Sequence, residues 1–186
     1  MINRKFFFDY VKQRLHFGRL KQSQVNGYNQ ILDYWENENL KDVRWLAYVL
    51  ATTYHETDKT IKPLREYGKG RGRKYGIPDS ENGQTYYGRG YVQLTWRKNY
   101  QKYSDILEID LVDNPDLALD QEIATKILFH GMINSVFTGK ALKDYFNENK
   151  SDWYNARRIV NGTDKMYTIG DYGKEFFAAI SFNYIL

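Results

Sequence analysis

Tyr86-Tyr87-Gly88-Arg89-Gly90-Tyr91-Val92-Gln93-Leu94-Thr95-Trp96, with Asn99-Tyr100 beyond it, is the most informative stretch of this 186-residue chain. Its Tyr86–Leu94 part has β character and predicts a short hairpin arm. It ends an interruption over 58–92 in which seven of the chain's 14 glycines fall between Gly68 and Gly90, beside Pro63 and Pro78. That composition reads as loop and turn. Six basic residues (Lys62, Arg65, Lys69, Arg71, Arg73, Lys74) crowd its first half, with Glu66 the only acid among them. Loops this long inside a compact domain are usually functional or disordered.

Outward from the loop, the chain reads at helical period. Val25, Tyr28, Ile31, Leu32 and Trp35 form one apolar stripe, with Ser23 its expected N-cap. Val43, Leu46, Ala47, Leu50 and Tyr54 form a second, which runs into His55-Glu56-Thr57. Further helices are expected over 95–107, 119–135, 140–148, 152–160 and 164–182, with Asn161-Gly162 as a helix stop. Met166–Ile185 is rich in Phe and Tyr and reads as a core helix, a membrane-active tail being the sharper alternative. No repeat or interdomain linker is visible. The expectation is one mainly α domain over 1–186, a multi-helix bundle with a long Gly-rich basic loop, a short β-hairpin and no separate wall-binding domain.

Composition excludes several chemistries. With no cysteine there is no disulfide framework, thiolate nucleophile or Cys-type metal site. Three histidines (His16, His55, His130) argue against a multi-histidine metal centre, so no metal or cofactor is expected. No apolar run reaches the ~18 residues of a membrane span. Phe6-Phe7-Phe8 is cut short by Asp9 and Lys12, so no signal peptide is expected. The net charge of +4 hints at an anionic partner.

His55-Glu56 lacks the second histidine of a zinc-protease helix, since Lys59 stands four residues after His55. Gly68-Lys69-Gly70-Arg71-Gly72 fits neither a dinucleotide fingerprint nor a P-loop. No serine sits in a nucleophile elbow. Carboxylate chemistry remains. Glu56 falls near the C-terminal end of its helix, beside the apolar stripe. Burial and the negative helix end both raise a carboxyl pKa, as a general acid requires. The plainer reading is a surface ion pair with Lys59 or Lys62. Glu66 sits among cations that favour its charged form, which suits a base, or simply compensates a basic loop. Asp58, Asp79 and Glu81 rival it. One protonated and one charged carboxyl is the arrangement of glycoside hydrolysis.

His55-Glu56-Thr57 together with the Tyr86–Trp96 block resembles the family 19 glycoside hydrolases, chitinase-like enzymes of the lysozyme-like superfamily, and more closely the compact bacteriophage endolysins of that group. Pro63-Leu64-Arg65-Glu66-Tyr67-Gly68, Asn114-Pro115-Asp116-Leu117-Ala118, Arg158-Ile159-Val160-Asn161-Gly162 and the Leu20–Trp35 opening extend the likeness over roughly residues 18 to 180. The resemblance implies a catalytic cleft with Glu56 as general acid, Glu66 as general base and Thr95 helping to hold the attacking water. It places His55, Gln93, Asn99 and Asn161 with the sugar, and Tyr87 and Arg89 in the block that shapes the cleft. Amide side chains donate and accept at once, which suits N-acetyl and hydroxyl groups. Thr95 is also a natural helix N-cap, Arg89 could brace a carboxylate, and Gln93 could satisfy buried backbone.

Two departures from plant-type chitinases stand out: the missing cysteines, and a shorter, more basic stretch before the Tyr-Gly-Arg-Gly block. A basic lip would attract the carboxylates of peptidoglycan, whereas chitin is uncharged. The expectation is therefore an endolysin: a monomer cleaving β-1,4 bonds between N-acetylmuramic acid and N-acetylglucosamine, with inversion. It would be made in the host bacterial cytoplasm and reach the periplasm and cell wall at lysis, without stable membrane insertion. The alternatives are a chitinase on poly-N-acetylglucosamine, a lytic transglycosylase using Glu56 alone, and a non-catalytic basic protein binding polysaccharide or nucleic acid. Against nucleic acid, 23 acidic residues offset the 27 basic ones. Of the seventeen tyrosines, Tyr28, Tyr54 and Tyr172 read as core, and Tyr67, Tyr75, Tyr86, Tyr87 and Tyr91 as the sugar-stacking floor of the cleft.

Overall fold

The computed structural model describes residues 1–182. Among them it is mainly helical, with six α-helices, four short 3-10 turns and two small antiparallel strand pairs. The chain divides into two compact units: residues 1–61 with 128–186, and residues 62–127.

The first unit is built around the helix that ends at Glu56. Helix α1 (Arg4–Arg14) starts where the Asn3 side chain accepts from the Phe6 amide, and it buries Phe7 and Val11. This helix escaped the sequence reading, which weighed the Phe6–Phe8 run only as a targeting segment. Helix α2 (Gln22–Asn37) buries Tyr28, Ile31, Leu32 and Trp35, the expected stripe, but its N-cap is Lys21 and not Ser23. Helix α3 (Val43–Glu56) is capped by Asp42 and is buried without a break from Leu46 to Tyr54. A helix apolar on every face belongs in the middle of its unit. It packs against the C-terminal helix Met166–Ser181, which buries Ile169, Phe176, Ala179 and Ile180 and also meets α1. That helix is thus a core helix as far as Ser181. The rest of the tail, residues 183–186, lies outside the described residues. No helix among the described residues is long and apolar enough to cross a membrane.

Two expected helices are not there. Over 140–148 the chain forms a 3-10 turn at Leu142–Asp144 and then the hairpin of β3 (Phe146–Asn147) and β4 (Lys150–Ser151). The Asn147 side chain accepts from the Asn149 amide and closes the turn, an Asn habit that competes with helix. Over 152–160 only a 3-10 turn forms, Asn155–Ile159, with Asp152 accepting from the Asn155 amide.

In the second unit, β1 (Leu64–Arg65) pairs antiparallel with β2 (Arg89–Gly90). Within the Tyr86–Leu94 block Arg89 and Leu94 form an antiparallel bridge, the expected short hairpin, and the block also supplies a partner strand for the start of the basic loop. Helix α4 (Arg97–Leu107) follows, burying Tyr100 and Tyr103. Helix α5 (Gln121–Ile133) is capped by Asp120.

Candidate active site

In the first unit, α3 delivers Glu56 at its last residue. The turn beyond it is strained: Asp58, Lys59 and Ile61 all have positive φ, at 46°, 64° and 54°. A β-branched residue such as Ile61 rarely adopts that conformation, so the surroundings must over-determine it. They do so twice. The buried Thr57 hydroxyl donates to the Thr53 carbonyl at 2.7 Å and accepts from the Ile61 amide at 3.0 Å. Gly27 of α2 lies so close that a Cβ there would stand 2.1 Å from the Ile61 carbonyl oxygen.

Glu56 does not pair with Lys59 or Lys62. Its Oε1 accepts from Arg157 Nη1 at 2.5 Å, and the guanidinium is 4% exposed against 20% for the carboxylate. Arg157 Nε donates to the Asp164 carbonyl, which fixes the plane of the guanidinium. Glu56 Oε2 has no hydrogen-bond partner among the described residues. Sequence reading missed Arg157, because 101 residues separate the partners and no local spacing announces them. His55 is half-buried, and desolvation lowers its pKa, Glu56 opposing and Arg157 reinforcing the shift. It is neutral at pH 7 and able to donate and accept. Asn161 is exposed, with its side-chain oxygen accepting from the Gly162 amide. Asp58 is exposed and makes no ion pair among the described residues.

In the second unit, Glu66 follows β1 directly. Its carboxylate meets neutral donors and not the neighbouring cations: Tyr75 Oη donates to Oε1 at 2.9 Å, and the Gly88 amide to Oε2 at 2.9 Å. The Glu66 amide returns a bond to the Gly88 carbonyl at 2.7 Å. Gly88 is required here, since a Cβ would stand 2.7 Å from Gln93 Oε1 and 3.3 Å from Glu66 Cβ. Two of the three rivals to Glu66 are occupied. Asp79 and Glu81 are both paired with Arg97, at 3.3 and 2.5 Å. Among the described residues Lys62, Lys69, Arg71, Arg73 and Lys74 are exposed or nearly so and form no ion pair, so five of the loop's six cations are uncompensated. The sixth, Arg65, is bidentate to Asp116 at 2.8 Å and also reaches Tyr87 Oη.

The Tyr86–Trp96 block is mostly interior. Arg89 is 3% exposed; its Nε donates to Asp116 and its Nη1 to the Thr85 carbonyl and Tyr100 Oη, and it lies 3.6 Å from the Tyr87 ring centroid. Arg65 and Arg89 together hold the Asp116 carboxyl below its usual range. Arg89 therefore braces a carboxylate. Tyr86, Tyr87 and Tyr91 are 3%, 4% and 1% exposed, which removes them from the expected stacking floor. Tyr67 is fully exposed and Tyr75 half-buried. Gln93, at φ 54°, donates to the Leu64 and Gly90 carbonyls, so its amide nitrogen satisfies backbone. Thr95 does not cap α4, whose N-cap is Trp96 with φ 72°. Its hydroxyl is without a partner among the described residues, while its carbonyl accepts from Asn99 Nδ2 at 2.7 Å. No cluster that could hold a metal ion occurs among the described residues.

The fold is similar to that of a solved chitinase. Chitinase C from Streptomyces griseus HUT6037 superposes with a TM-score of 0.65 at 20% identity, over 96% of this chain and 76% of that one. Residues 44–135 match the family model described as chitinase class I, a glycosyl hydrolase family 19 model. Chitinase 11 of Oryza sativa subsp. japonica is 42% identical over 76 residues, 40% of this chain and 29% of that protein. The acidic endochitinase of Petunia hybrida is 36% identical over 81 residues, 43% and 31% of the two chains. The inactive chitinase-like protein 1 of Hevea brasiliensis is 49% identical over 45 residues, 24% and 14%. The chain thus matches less than a third of the length of these relatives, and one of them is named as inactive.

Proposed function

We propose that this protein is a glycosidase that hydrolyses β-1,4 bonds of an N-acetylhexosamine polymer, with Glu56 as general acid and Glu66 as general base. The observation that carries the reading is the setting of Glu66. It is the acid of the basic loop whose two oxygens are both held by neutral hydrogen-bond donors, while Asp79 and Glu81 are consumed by Arg97. A carboxylate fixed by neutral donors keeps its orientation and its capacity to take a proton from water. Glu56 complements it: Arg157 holds Oε1, and Oε2 is open to carry the proton for the leaving oxygen. Water activated by Glu66 then attacks the anomeric carbon on the opposite face, which inverts its configuration. The free hydroxyl of Thr95 suits the holding of that water.

Poly-N-acetylglucosamine is the substrate that the family match favours, since the relatives are named chitinases and endochitinases. Peptidoglycan is the second reading, and with it an endolysin role that ends in lysis of a host cell. It is favoured by the five uncompensated cations of the loop, because peptidoglycan carries carboxylates and chitin does not. The experiment compares release of soluble oligosaccharides from colloidal chitin and from purified sacculi. Preference for chitin supports the first reading. Preference for sacculi, with clearing of outer-membrane-permeabilised cells, supports the second. No release from either polymer by wild-type protein overturns both.

A further inference from the structure

Tyr75 is not explained by the reading of the loop as a cationic lip. The loop brings it in by a specific route. Gly70 and Gly76 cross so closely that a Cβ on Gly76 would stand 2.0 Å from the Gly70 carbonyl oxygen. The Tyr75 carbonyl accepts from the Tyr86 amide at 3.1 Å, and the Tyr86 carbonyl accepts from the Trp96 amide at 2.9 Å. The Tyr75 ring meets Trp96 edge-on, with centroids 5.4 Å apart and an interplanar angle of 78°. Backbone crossing, backbone bond and ring contact all converge on one result, the 2.9 Å bond from Tyr75 Oη to Glu66 Oε1.

We propose that Tyr75 is the positioning residue of the base: its hydroxyl selects the Glu66 orientation in which Oε1 is tied and Oε2 stays with the Gly88 amide. The proposal rests on Glu66 being the base. A phenol that donates to a carboxylate stabilises the charged acceptor and must itself remain protonated. Tyr75 meets that condition. The bond to Glu66 is the main cause that lifts its pKa above the ordinary tyrosine range, burial adds to it, and the nearby Arg73 opposes it. The glycine-rich segment thus has a second job beside carrying charge, which is to deliver one hydroxyl to one carboxylate.

Two measurements on the full chain test this. The first needs no activity: tyrosinate absorbance is titrated for wild type, Tyr75→Phe and Glu66→Gln, with Tyr75 read as the difference between wild type and Tyr75→Phe. The same difference, taken between Glu66→Gln and the double variant, should fall back toward the ordinary value of about 10. An unchanged Tyr75 titration in Glu66→Gln overturns the proposal. The second is kinetic, on whichever polymer proves to be the substrate. Tyr75→Phe keeps the ring against Trp96 and should lower kcat about tenfold with KM within about twofold, the cost of one bond to a charged acceptor. Wild-type kcat in Tyr75→Phe, with Glu66→Gln dead, overturns the positioning role and leaves the base in place. Full activity in Glu66→Gln overturns the base itself.

Discussion

Glu56 and Glu66 are ten residues apart in sequence and are held by opposite means. Glu56 is the last residue of a helix buried continuously over Leu46–Tyr54, and its partner is a guanidinium from a 3-10 turn far along the chain. Glu66 stands at the edge of a two-residue strand, among cations it does not touch, and is fixed by a phenol and a backbone amide. The first carboxylate is placed by core packing and a charge pair; the second by neutral hydrogen bonds in a loop locked by glycines. The contrast separates two ways of orienting the same functional group, and the proposed division into acid and base rests on these different neighbourhoods.

The largest expected effects come from removing either carboxylate. Glu56→Gln and Glu66→Gln should each lower the rate of polymer hydrolysis by about 10²–10⁴ with folding intact, the usual range for a general acid or base. If Asp79→Asn or Glu81→Gln costs as much as Glu66→Gln, the division of roles drawn above breaks.

A second difference lies in pH. In the first unit His16 is 8% exposed, and desolvation, with a smaller contribution from Lys59, lowers its pKa to about 4. Gln24 Nε2 donates to its Nδ1 while its Nε2 donates to Tyr28 Oη, so the neutral ring is the one the site accepts. A histidine held neutral in the fold and free to protonate when unfolded stabilises fully above its unfolded pKa near 6.5. That contribution is lost as the pH falls from there toward about 4. The expected loss is about 3 kcal/mol, read as a fall in urea unfolding free energy across that window and flattened in His16→Gln. An equal slope in the variant would assign it elsewhere.

Smaller effects test the two kinds of locking. Gly27→Ala should cost about 1–3 kcal/mol by forcing α2 away from Ile61, and Gly76→Ala a similar amount by separating the Gly70–Gly76 crossing. Only Gly76→Ala should disturb the Tyr75 titration. Smallest of all, glutamine at Lys69, Arg71, Arg73 and Lys74 together should leave stability within about 0.5 kcal/mol per site, since none has a partner to lose. On sacculi those variants should remove the salt dependence of binding, and on chitin they should change nothing. Equal effects on both polymers would detach the cations from substrate choice.

The place of Glu56 was legible in the sequence, because a helical stripe ending in His55-Glu56-Thr57 fixes its element and its position. Arg157 was not, because only tertiary packing brings it across the chain. The loop was recognised from its glycines, but the cations beside Glu66 in sequence suggested an electrostatic setting that the fold replaces with Tyr75 and Gly88. Tyr86, Tyr87 and Tyr91 were misread for a related reason: aromatic side chains next to a motif can equally well form its core, and here all three are buried, Tyr87 against Arg89 and Tyr86 against Tyr100. The 140–148 region shows the limit of apolar spacing, where Asn147 and Asn149 turned a helical pattern into a hairpin.

The most direct test of the account is the configuration of the first product. Proton NMR of β-1,4-linked N-acetylglucosamine oligomers, followed from the start of digestion before mutarotation, identifies the new reducing end. Two carboxylates acting as acid and base on opposite faces predict that the α-anomer appears first. Appearance of the β-anomer, or of an anhydro sugar end from a transglycosylase, would contradict it.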